Sequence, residues 1–119
     1  MKTFKLKNGN EIPAIGLGTW QLVGDTCEEA VQIALKAGYR HNDTAEIYGN
    51  QQEIGNALLK TSVKRRDIFV TSKVWRSNLS KEETMDSAKQ TLEALQTDYV
   101  DLLLIHWPND TYPVNKTLE

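Results

Sequence analysis

Four side chains of complementary chemistry recur along the chain: Asp43, Tyr48, Lys73 and His106. A phenol is a poor acid near neutrality, its ordinary pKa being about 10. An ammonium beside it favours the phenolate, and a carboxylate beside that ammonium keeps it charged and in position. A neutral imidazole can hydrogen-bond a carbonyl oxygen and polarise it. Together the four describe a device that protonates an oxygen while another group attacks carbon. Taken singly they have plainer explanations, since an Asp–Lys pair is often a structural ion pair and a His after an apolar strand a satisfied boundary residue. The residues alone leave both readings open.

What favours the chemical reading is the placement of the four in the predicted elements. The chain opens with a predicted hairpin over about residues 4–13. Phe4 and Leu6 alternate with Lys, Asn8-Gly9 suits a two-residue turn, Glu11-Ile12 begins the return strand, and Pro13 ends the pairing. A βα rhythm follows over about 14–119. Ala14–Thr19 reads as a strand, and a helix is expected over Cys27–Ala37, with Thr26 and Glu29 as its capping box, Gly38 as its stop, and Val31, Ala34 and Leu35 on one face. Arg40–Ala45 reads as the next strand and Gln51–Lys60 as a helix burying Ile54, Ala57 and Leu58. Asp67–Val74 is β-branched and strand-like. Lys81–Leu95 reads as a helix with Ser80 and Glu83 in capping-box spacing and an inward stripe of Ala88, Leu92 and Leu95. Val100–Ile105 is almost wholly apolar, as a parallel strand covered on both faces should be. Four strands linked by helices imply a parallel α/β sheet with right-handed crossovers, which a doubly wound sheet and a barrel satisfy equally. Asp43, Lys73 and His106 fall at or near C-terminal strand ends, and Tyr48 in the loop after the second strand, where sites form in such folds.

Composition narrows the function classes. The 119 residues suffice for one core, and 39% hydrophobic with 25% charged residues is ordinary for a globular chain. A net charge of −2 argues against a nucleic-acid binder. The single Cys27 excludes an internal disulfide, and no Cys/His cluster has metal-ligand spacing. Residues 1–7 alternate and do not run apolar, so no secretory leader is expected, and no membrane partner either. The expected location is cytoplasmic, which makes the triplets Asn78-Leu79-Ser80 and Asn115-Lys116-Thr117 chance matches to a glycosylation pattern.

The segment Gly38-Tyr39-Arg40-His41-Asn42-Asp43-Thr44-Ala45-Glu46-Ile47-Tyr48-Gly49-Asn50-Gln51-Gln52-Glu53-Ile54-Gly55 closely resembles the first signature of the aldo-keto reductases. Three further stretches resemble the family in the same order: Gly16–Trp20, Thr71–Trp75 and Asp98–Pro108. The likeness covers nearly the whole chain beyond the hairpin. It implies the N-terminal part of a (β/α)8 TIM barrel preceded by a β-hairpin, and NADPH-dependent reduction of aldehydes or ketones. Carried over by position, Tyr48 matches the general acid, Lys73 and Asp43 its tuning partners, and His106 the residue that orients the carbonyl. Gly18, Thr19, Trp20 and Asp43 match positions at the cofactor. Trp20, Trp75 and Trp107, with Tyr48 and His106, match positions at an apolar substrate pocket.

Two positions depart from the pattern. Asn42 stands where the family has an aliphatic residue; alternation turns it away from Asp43 towards the helices, where an unpartnered amide costs roughly 1–3 kcal/mol. It should either destabilise the fold or find a local hydrogen bond. Gln51 replaces a usual Glu at a helix start, with loss of a favourable dipole interaction of a few tenths to about 1 kcal/mol.

A barrel of this kind needs about 250 residues, and the sequence stops just as Pro113–Glu119 opens a further helix. The expectation is one partial barrel domain over residues 1–119, either a truncated product or part of a longer sequence, that alone holds NADPH weakly or not at all. Its exposed barrel edges would favour self-association. An inactive fragment serving assembly is the alternative to the enzyme, and a channel-associated reductase-like subunit a third reading. The substrate, and NADPH against NADH, are not legible.

Overall fold

Lys7-Asn8-Gly9 make the first reversal of the chain. In the computed structural model, which describes residues 1–119, β1 (Thr3–Lys5) pairs antiparallel with β2 (Glu11–Pro13), with Phe4 opposite Ile12. Leu6 N–H donates to the Asn10 carbonyl at 2.7 Å and Gly9 N–H to the Leu6 carbonyl at 2.9 Å, so the loop has three residues and not the expected Asn8-Gly9 pair. The reason is local: a turn ending on glycine with one extra residue keeps Leu6 and Asn10 in ladder register.

The second sheet has four strands in sequential order, β3 (Leu17–Gly18), β4 (His41–Asp43), β5 (Phe69–Val74) and β6 (Leu102–Ile105), all parallel. Helices α1 (Gly24–Lys36), α2 (Gln51–Lys60) and α3 (Lys81–Leu95) bridge them, and a short α4 (Val114–Thr117) follows β6. The core lies between the helices and the outer faces of the strands: Cys27, Val31 and Leu35 of α1, Ile54 and Ala57 of α2, and Leu95 of α3 close over Ile68 and Val70. Outward residues of β5 therefore meet helices, while Thr71 and Lys73 face inward with His41 and Asp43 of β4; His41 Nε2 lies 2.9 Å from Thr71 Oγ1.

Helices α2 and α3 have their expected bounds, and the Ser80–Glu83 capping box forms, Ser80 Oγ accepting from Glu83 N–H at 3.2 Å. Elsewhere tertiary packing overrode local signals. α1 begins at Gly24, without a side-chain cap, so Thr26 and Glu29 lie inside it and form no box. Cys27, fully buried, joins the apolar stripe of Val31, Ala34 and Leu35. The stop is as expected, with Gly38 N–H on the Leu35 carbonyl and Tyr39 N–H on that of Ala34. β3 keeps only two of its six expected residues. On α3 the buried stripe is Ser87, Thr91 and Leu95, with Ala88 and Leu92 half-buried beside it. Gln51 explains the rotation: it accepts from Ser72 Oγ at 2.6 Å and donates to Thr91 Oγ1 at 3.2 Å, which turns the hydroxyl face of α3 inward.

β6 forms the edge of the sheet, one of the exposed edges expected of a partial barrel, and leaves Leu103 38% and Leu104 39% exposed, so its apolar run is not covered on both faces within these residues. Asn42 has no polar partner for either side-chain atom although it is only 1% exposed, so the unsatisfied branch of the expectation holds.

At the N-terminal ends of the strands Arg65 binds β5 to the approach to β6. Its guanidinium donates to Thr97 Oγ1 (3.0 Å), to the carbonyls of Ile68 (2.6 Å) and Tyr99 (2.8 Å), and to the Asp101 carboxylate (3.1 Å). It also lies 4.1 Å over the Tyr99 ring, and Asp101 accepts from Val70 N–H at 2.9 Å.

Candidate active site

At the opposite, C-terminal ends, the inward alternation of β4 and β5 aims Asp43 and Lys73 at one another. Lys73 Nζ meets Asp43 Oδ1 at 2.5 Å and donates to the Thr44 carbonyl at 2.9 Å. Beyond β4 the chain makes a 3-10 turn, Glu46–Tyr48, and Gly49, at φ +67°, reverses it into α2; that left-handed φ favours glycine. The turn brings the Tyr48 ring under Lys73 Nζ, 5.2 Å from the ring centroid. His106 follows β6 directly, anchored by its N–H to the Val74 carbonyl at 3.0 Å. Its ring meets Tyr48 edge-on at 5.7 Å and Trp75 at 5.2 Å. The carboxylate, ammonium, phenol and imidazole thus come together at one rim.

Burial holds the His106 pKa below the ordinary imidazole value, the Lys73 charge pushes the same way, and Asp43 opposes them. The imidazole is therefore neutral at pH 7, and its Nδ1 is buried without a partner. Around it opens a cavity of about 350 Å³ lined by Trp20, Ile47, Tyr48, Trp75, His106 and Trp107. All three tryptophans singled out in the sequence lie on it, Trp20 67% exposed and Trp107 tilted against Trp75 at 6.4 Å. Ile47 was missed; its only signal was its position beside Tyr48.

Gly18 and Thr19 do not line this cavity. Thr19 is fully buried, with its hydroxyl and N–H both donating to the Asp43 carbonyl at 2.8 and 3.1 Å. Two further residues escaped sequence reasoning because most of their partners lie 28 to 32 residues away. Asn50 donates to the carbonyls of Thr19 and Leu22 at 2.7 and 2.9 Å and accepts from Thr44 Oγ1 at 3.0 Å, fixing the loop after β3. Glu46 Oε1 accepts from Trp75 N–H at 2.9 Å and Asn78 Nδ2 at 2.6 Å.

The aldo/keto reductase family model matches residues 14–119 of this chain. The chain belongs to the aldo/keto reductase family. Among its relatives, methylglyoxal reductase DkgB of Escherichia coli O157:H7 is 46% identical over 110 residues, covering 91% of this chain and 41% of that protein. Aldose reductase of Encephalitozoon cuniculi is 51% identical over 112 residues, covering 90% and 36%. The crystal structure of an aldo/keto reductase from Brucella melitensis overlays with a TM-score of 0.87 at 50% identity, covering 90% of this chain and 41% of that one. The chain therefore spans about two fifths of the length of the aldo/keto reductases it matches, and its fold is the N-terminal part of their (β/α)8 barrel.

Proposed function

We propose that this chain carries the proton-transfer half of an NADPH-dependent carbonyl reductase that converts aldehydes or ketones to alcohols. One observation supports it above all: a single ammonium, Lys73, touches the Asp43 carboxylate and lies over the Tyr48 ring, beside a neutral His106. Tyr48 is the general acid, passing its hydroxyl proton to the substrate oxygen. The phenolate left behind faces Lys73, whose Nζ lies 5.2 Å from the ring centroid; unit charges at about that separation and an effective dielectric of about 20 attract by on the order of 3 kcal/mol. Asp43 keeps that ammonium in place. With Nδ1 of His106 enclosed, Nε2 is left to orient the carbonyl. Trp20, Trp75 and Trp107 give the pocket an apolar wall suited to the apolar part of a carbonyl compound.

The residues at the rim fit a reduced nicotinamide. The Asp43 side chain keeps 35% exposure despite its ion pair, a Cβ on Gly18 would meet nothing within 4 Å, and the Trp20 ring is open. When bound, that cofactor supplies the hydride that reaches the carbonyl carbon. Gly18, Trp20 and Asp43 would border it, with Thr19 acting through the backbone it fixes to Asp43. We further propose a cytoplasmic location; no helix is long and apolar enough to cross a membrane.

The test uses a complete barrel carrying these residues. Tyr48→Phe keeps the ring and removes the proton, so kcat with an aldehyde should fall by about 10²–10⁴. Lys73→Met should cost about 10², the rate equivalent of the attraction above. Near-parental kcat in Tyr48→Phe excludes Tyr48 as the acid.

The second reading is a half-barrel serving assembly, in which another chain would cover Leu103 and Leu104 of β6. Size-exclusion chromatography of the 119-residue chain separates the two: a compact dimer supports assembly, a monomer or aggregate does not.

A further inference from the structure

The Glu46 carboxylate is too far along the chain from Trp75 and Asn78 for any local motif to join them, yet one oxygen accepts from both. Those donors belong to the loop that follows β5. The same loop is held from the other side, where Asn109 Nδ2 donates to the Arg76 carbonyl at 2.6 Å from the loop after β6. Trp75, held by the first clasp and next to Arg76 of the second, is edge-on to His106 and tilted against Trp107. Glu46 itself is the first residue of the turn that ends in Tyr48. The carboxylate thus ties the wall of the apolar cavity to the turn carrying the phenol.

We propose that Glu46 is a positioning residue that sets the substrate range: by latching the Trp75–Asn78 loop to the Tyr48 turn, it holds the Trp75 indole as a fixed wall for large apolar carbonyl substrates. This rests on the carbonyl-reductase reading above. Glu46 does not line the cavity, so it acts only through Trp75. A small aldehyde held by Tyr48 and His106 would lean on that wall far less than a bulky one and should depend on it little.

The physical consequence is a split between substrates. Loss of a charge-assisted hydrogen bond to a loop amide weakens the loop position by an amount comparable to about a tenfold change in an equilibrium. In a complete barrel, Glu46→Ala should raise KM for a bulky aromatic aldehyde about tenfold, with kcat within about threefold of the parent and the kinetics of acetaldehyde unchanged. Glu46→Gln retains an acceptor oxygen and should restore most of the affinity. Asn78→Ala leaves the Trp75 N–H contact and should give a smaller rise in the same direction, which covers the case in which Glu46→Ala fails to fold.

A second measurement is independent of turnover. In the 119-residue chain, which has three tryptophans, with Trp20 and Trp107 replaced by Phe, acrylamide quenching of Trp75 should increase in E46A and not in E46Q. Equal losses on both aldehydes, or unchanged quenching in a folded E46A, would overturn the latch. If the parent barrel reduces neither aldehyde, the reductase reading fails, and quenching alone still decides whether Glu46 holds Trp75.

Discussion

Replacing Asn42 with Leu should make the protein more stable. The two side chains share the same branching, so the change puts methyl groups where an amide nitrogen and oxygen now lie without partners. Asn42 is enclosed between Leu17 of β3 and Val70 of β5, its register partners, and under the helices. An unsatisfied buried amide costs about 1–3 kcal/mol by protein mutational measures. The added methyl groups contribute favourably as well, offset in part by their greater bulk in a packed layer. A net gain of about 1–3 kcal/mol follows. With a urea m-value of about 2 kcal/mol/M, the midpoint should move up by about 0.5–1.5 M at constant m. Urea unfolding followed by tryptophan emission and by far-UV circular dichroism gives both quantities. A midpoint that stays put or falls, with m unchanged, would refute the reasoning, because it would mean that the amide is satisfied in solution. Asn42→Asp, a buried charge in the same place, should lower the midpoint steeply.

Three other outcomes follow from packing and titration. Burial is the main reason that both His41 and His106 hold their pKa values below the ordinary imidazole value. As pH falls, the unfolded chain takes up these protons first, near its midpoint of about 6.5, so stability is full at about pH 7.5 and declines as pH drops through that midpoint. Urea midpoints at pH 7.5 and 5.5 should show this fall, His41→Gln should lessen it, and a higher midpoint at pH 5.5 would contradict the assignment. At Gly55 a Cβ would come within 2.6 Å of the Ala94 carbonyl oxygen and 2.8 Å of that of Leu95, so Gly55→Val must push α2 from α3 and should destabilise by about 1–3 kcal/mol. A melting temperature equal to the parent's would show that the helices do not approach so closely. Burial pushes the Cys27 thiol up to about 11, with Glu53 and Glu28 adding to the effect. A disulfide reagent should therefore label Cys27 roughly a hundredfold more slowly in the folded protein than in urea; rapid native labelling would show an open α1–α2 interface.

What could be read from the sequence was whatever its neighbours along the chain determine. Ser80 and Glu83 cap α3 because both halves of that exchange lie within one turn. Thr26 and Glu29 present the same local signal and fail, because α1 starts at Gly24 and leaves Thr26 inside the helix instead of at its cap. The apolar run of β6 was legible as a strand, but its cover depends on neighbours in space, and two of its leucines stand open. The alternation of β4 and β5 was enough to aim Asp43 and Lys73 together, and the βα rhythm to bring Tyr48 and His106 to the same end. Glu46, Asn50 and the inward hydroxyls of α3 were not legible. Each is defined by a partner on another element, and an isolated Glu, Asn or Thr in a window of sequence carries no mark of it.

Arg65 and the Lys73 ensemble stand at opposite ends of the same strands, and this separation divides the labour of the sheet. One guanidinium anchors where the strands begin, through three side chains and two carbonyls that face no cavity of the active rim. The loops that border the chemistry are thereby released from holding the scaffold together, and can exchange residues such as Ile47 or Trp107 while the frame beneath them stays the same.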